Sequence, residues 1–139
     1  MINDPNIIVK TNNVKVDEIY LYDAENNKVL YNEIDINKNV YIQVERLKGF
    51  VPKDNEIFSG ITLRVTGANG MVLMNEKDIV GDQSYPVEKF EHMVSPYFVV
   101  LGKDIKNPIS CFCSVWDKQS SNSINIEFKV NVRNSEKIQ

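Results

Sequence analysis

The 139-residue chain, 42% hydrophobic and 25% charged, has the size and composition of one globular domain, which excludes a disordered or low-complexity polypeptide. Its formal net charge is −3, with Lys and Arg scattered among Asp and Glu. Without clustered positive charge there is little counterion release to drive binding to phosphates, so no nucleic-acid partner is expected. No run reaches the ~20 apolar residues of a membrane helix and no basic amphipathic stretch occurs, so no membrane insertion is expected.

The opening Met1-Ile2-Asn3-Asp4-Pro5 has neither a charged n-region nor an apolar h-region. The expected location is therefore cytoplasmic, with the periplasm or cell surface as the alternative if a leader has been removed. Strands are expected near residues 7–10, 14–22 and 28–31. Val40, Ile42 and Val44 alternate with Tyr41, Gln43 and Glu45, and Ile61, Leu63 and Val65 alternate with Thr62, Arg64 and Thr66. That period of two is the signature of half-buried strands. After Val65 comes Thr66-Gly67-Ala68-Asn69-Gly70-Met71, an Asn-Gly turn between apolar residues that predicts a hairpin.

Residues 75–93 lose the alternation. Pro86 followed by Val87, Phe90, Met93 and Val94 has helical spacing, which predicts a short helix or an irregular crossover. Strands return near 97–101 and 109–116, and the clearest runs through Ile124, Ile126, Phe128, Val130 and Val132. Residues 133–139 read as a frayed tail. About eight strands at turn-rich spacing indicate an all-β, two-sheet sandwich, a single domain over 1–139 with its core at about 14–132.

The inventory for catalysis is thin. His92 is the only histidine, and no Gly-x-Ser-x-Gly elbow occurs. Cys111 and Cys113 share one strand face with Ile109 and Val115, which points both thiols into the core and keeps them from bridging each other. One histidine and two such cysteines make no zinc site. Asp35-Ile36-Asn37-Lys38-Asn39 opens like an EF-hand loop, but Val40 and Arg46 stand where glycine and glutamate are required. Gly67-Ala68-Asn69-Gly70 lacks a phosphate-loop lysine. No metal, cofactor or catalytic residue is expected. A small hydrolase using a carboxylate pair stays open as a second alternative, since Asp and Glu are plentiful.

Aromatic residues supply the binding candidates. With Ile19 and Leu21 facing inward, Tyr20 and Tyr22 face outward, and Tyr41 does the same on a strand expected beside theirs. Three tyrosines on one outer sheet face suit protein or sugar recognition, or simply stabilise the sheet by cross-strand contact. Phe112 and Trp116 alternate opposite to the cysteines and need a cover, which Ile79, Val80, Tyr85 and Phe90 of the irregular segment are placed to supply, or else a partner. Phe50, beside Gly49 in a loop, is a binding tip or an anchor plugging the end of the domain.

The strand order, the Ala68-Asn69-Gly70 hairpin, the Val115-Trp116-Asp117-Lys118 strand end and the final strand together resemble small immunoglobulin-like modules of bacterial surface and secretion-associated proteins. The resemblance covers about 14–132 and is one of pattern. It implies an immunoglobulin-like sandwich and a non-enzymatic interaction or structural module, with a protein partner in a multiprotein assembly of the secretion type. A surface or periplasmic carbohydrate-binding or adhesion domain is the alternative. The resemblance transfers no functional residue, and the oligomeric state is left open.

Overall fold

The computed structural model describes residues 6–30 and 32–133. In chain order its strands are β1 (Ile7–Asn12), β2 (Glu18–Tyr22), β3 (Glu33–Asp35), β4 (Asn39–Glu45), β5 (Glu56–Ile57) and β6 (Ser59–Thr66). Then follow β7 (Val72–Glu76), β8 (Tyr85–Pro86), the helix α1 (Val87–His92), β9 (Met93–Val94), β10 (Tyr97–Val99), β11 (Ile109–Asp117) and β12 (Ser123–Arg133). The protein is mostly β, built from open antiparallel sheets. Of the expected tail only Arg133 falls within the described residues, and it ends β12.

The larger sheet runs β1-β12-β11-β6-β7, with β3 lying parallel to the far end of β12. The smaller of the two main sheets has β4 at its centre, β2 on one side, and β9 and β10 successively on the other, and β5 and β8 pair as a separate two-stranded ribbon. β9 and β10 act as one strand interrupted at Ser95 and Pro96, where the Pro96 carbonyl accepts the Ile42 N–H at 2.8 Å. Alternation decides which side chains turn inward. Ile19, Leu21, Val40, Ile42 and Val44 of the smaller sheet enter the same buried cluster as Leu63, Val65, Cys113, Ile126 and Phe128 of the larger. The Phe98 and Phe128 rings, one from each sheet, lie 6.2 Å apart within it.

The Asn-Gly hairpin joins β6 to β7, with Gly70 at φ +85° and the Gly67 N–H donating to Met71 O at 2.8 Å. Helix α1 starts after Pro86 and buries Phe90, as the helical spacing of Val87 and Phe90 predicts, but Met93 and Val94, read at the same spacing, form β9 against β4 instead. Two expected strands differ. The stretch 14–22 pairs regularly only from Glu18, because Asn13 at φ 59° turns the chain and leaves Lys15 in a single bridge to Lys48. Near 28–31, Lys28 makes only a single bridge to Tyr22, Leu30 is exposed, and residue 31 lies outside the described residues.

Candidate functional site

The outer face of the smaller sheet carries the densest aromatic group. Tyr22 stands opposite Tyr41 across β2 and β4, and Tyr41 stands opposite Tyr97 across β4 and β10. The Tyr20 and Tyr22 ring centroids are 5.1 Å apart, and those of Tyr41 and Tyr97 are 5.4 Å apart, both pairs tilted. Tyr97 is 52% exposed, and the other three are half-buried. The expected trio thus becomes a quartet. Tyr97 was readable from the alternation of Tyr97 and Val99 against buried Phe98 and Val100, but only the pairing of β10 with β4 brings it beside Tyr41.

Polar groups frame this face. The Tyr20 hydroxyl donates to the Glu45 carboxylate, and the Lys28 ammonium sits 4.8 Å from the Tyr20 ring centroid. Burial, reinforced by the hydrogen bond to Glu45 and by that carboxylate's charge, holds the Tyr20 phenol protonated well above the usual range. It therefore serves as a donor and a ring surface, not as a base. Beyond Tyr41 the connection from β2 to β3 turns back at Asp23, whose Oδ1 accepts the Glu25 and Asn27 N–H groups at 2.9 Å each. A shallow depression of about 350 Å³ lies there, lined by Asp23, Asn26, Tyr41, Gln43 and Ser95.

Phe112 and Trp116 occupy the outer face of the other sheet and do not join the tyrosines. Phe112 is in a cross-strand row with Ile8, Glu127 and Arg64, and the Arg64 guanidinium covers its ring at 5.0 Å. Trp116 lies against Gly60, and its Nε1–H donates to Thr62 Oγ1 at 3.2 Å. The Lys118 ammonium is 5.7 Å from the indole and pairs with Asp78 at 2.8 Å. The irregular segment thus reaches this neighbourhood through Asp78, while Phe90 turns inward. Burial works against the Asp78 carboxylate, but the bond from Lys118 and backbone N–H donors from Val80, Ile61 and Gly81 outweigh it and lower its pKa.

Phe50 is 6% exposed, with its ring 5.1 Å from that of Phe90. It anchors the loop against α1 and offers no surface to a ligand. Buried Asp117 ties the same loop to the end of β11: its carboxylate accepts Val51 N–H at 2.7 Å, Gln119 N–H at 3.0 Å and the Ser120 hydroxyl at 2.6 Å. His92 is exposed at the end of α1. Cys111 and Cys113 are buried and unbridged, and desolvation raises both thiol pKa values. Among the described residues, no three His, Cys, Asp or Glu side chains gather as a metal-binding group, and no helix is long and apolar enough to cross a membrane. The chain matches no protein-family model and no curated protein.

Proposed function

We propose that this chain is a non-enzymatic protein-interaction module of immunoglobulin-like sandwich type, which engages a protein partner through the outer face of its smaller sheet. The observation that carries the reading is the quartet Tyr20, Tyr22, Tyr41 and Tyr97 on three adjacent strands. Tyrosine contributes large contact area at low conformational cost and keeps a hydroxyl for hydrogen bonding, which is why it is enriched in interface cores. Lys28 and Glu45 supply a charged border of the kind that steers encounter. The sandwich architecture is supported by the single buried cluster shared by the two sheets and by the pairing of β2 with β4.

The test is affinity capture from cell extract with the wild-type chain and a Tyr41→Ala/Tyr97→Ala variant of verified fold. The reading expects a defined set of proteins with wild type that the variant loses. Equal recovery by both would defeat it.

A second reading, carbohydrate recognition, is favoured by the depression beside Tyr41, where a carboxylate, two amides and a hydroxyl converge next to an aromatic ring. It expects glycan-array binding that Asn26→Ala and Gln43→Ala abolish, with protein capture unchanged.

A further inference from the structure

Strands β6 and β9–β10 belong to different sheets and are not paired with each other. The connection from β7 through α1 contributes side chains beside both, and Phe90 of α1 is buried with its ring 5.1 Å from that of Phe50. These elements line a pocket of about 320 Å³. Its walls are mainly apolar, from Ile61, Ile79, Val80, Phe90, Val94 and Tyr97. Ile61, Phe90 and Val94 are buried, whereas Ile79 and Tyr97 are 41% and 52% exposed, so the pocket has an interior end and an open end. Such a volume lies at the lower end of the range for small-ligand sites, and an apolar lining with few polar groups is their usual composition.

The polar groups set the ligand class. Ser59, fully buried, already spends its hydroxyl on the carbonyls of Gly60 and Trp116. Lys89 also lines the pocket, and among the described residues its ammonium has no ion-pair partner. Glu88 and Glu91 stand one and two positions away on α1, spacings that do not face Lys89. A lone cation on the rim of an apolar pocket complements an anion carried on an apolar body.

We propose that this pocket binds a small amphipathic carboxylate, with its apolar body between Ile61, Ile79 and Val94 and its carboxylate at the Lys89 ammonium. At roughly 30 Å³ per heavy atom, the share of a water molecule, the space holds about ten such atoms, the size of a medium-chain fatty acid or an aryl alkanoate. Tyr97 borders both the pocket and the tyrosine face, but Lys89 and Ile79 belong to the pocket alone, so variants at these two positions test this proposal independently of the other.

The test is amide NMR titration of the full chain with sodium octanoate and, in parallel, with 1-octanol. Saturable shifts confined to Ile61, Ile79, Val94, Tyr97 and their neighbours are expected with octanoate. Lys89→Gln, a change at an exposed position, weakens octanoate about two- to fivefold, as expected for the loss of one solvent-exposed ion pair, and leaves octanol unchanged. Ile79→Trp, which narrows the open end, weakens both. Absence of saturable shifts in the wild type, shifts centred elsewhere, or octanoate affinity unaltered by Lys89→Gln would overturn the proposal.

Discussion

The Trp116 indole occupies the space where a side chain on Gly60 would begin: a Cβ at position 60 would lie 2.1 Å from Trp116 Cζ2 and 2.3 Å from Cε2. The two residues face each other across β6 and β11, and the hydrogen bond to Thr62 fixes the indole there. A methyl group at that distance displaces a rigid ring system. Gly60→Ala is therefore expected to cost about 1–3 kcal/mol, the usual range for overpacking. Chemical denaturation of Gly60→Ala in wild-type and Trp116→Ala backgrounds checks this. The cost should nearly vanish in the second background, and an equal cost in both would place the strain elsewhere.

Phe50 and Phe90 join the loop after β4 to helix α1. Either truncation to alanine removes a buried ring and is expected to destabilise by about 3–5 kcal/mol. A double-mutant cycle should show coupling of about 0.5–1.5 kcal/mol for the tilted ring pair. Because Phe50 faces inward, a fold-preserving Phe50→Leu should leave partner capture unaltered. Loss of capture with stability intact would return Phe50 to the binding surface.

Stability should fall on the alkaline side through Cys111 and Cys113. Burial raises both pKa values in the folded chain, so the native thiols stay protonated while those of the unfolded chain ionise near the ordinary value of about 8.5. Their contribution is complete below that pH and declines as pH rises above it, by about 1.4 kcal/mol per pH unit for each thiol while the native form stays protonated. Tyr20 adds to the loss above about pH 10 for the same reason. Asp78 has the opposite sign: its lowered pKa stabilises the fold above the ordinary carboxylate value of about 3.9, and this is lost as pH falls through the native value. Urea midpoints from pH 7 to 10 measure the alkaline effect. A Cys111→Val/Cys113→Val variant should show a flatter decline below pH 10, and an identical decline would acquit the thiols.

Much of this was legible because side-chain direction in a strand is a local property. Alternation alone turns Cys111, Cys113, Ile124, Ile126 and Phe128 inward and Tyr20, Tyr22 and Tyr41 outward. Turn chemistry is equally local: Asn69-Gly70 makes the hairpin because glycine reaches positive φ without strain. The strands near 14–22 and 28–31 were less legible, since turn residues such as Asn13 compete there with weak alternation.

Position relative to residues distant in the chain was decided only by the tertiary structure. Tyr97 joins Tyr41 because β10 pairs with β4, and Trp116 meets Gly60 because β11 and β6 share one register. Phe50 could be a tip or an anchor until Phe90 arrived from α1 to pack on it. The pocket at Lys89 has no sequence signature, because a cavity is the volume that elements from both sheets leave unfilled. The sequence by itself determined which way each strand residue points, through backbone geometry that repeats every two residues. The tertiary structure decided which outward residues become neighbours, because strand order and register depend on how the whole chain buries its apolar faces at once.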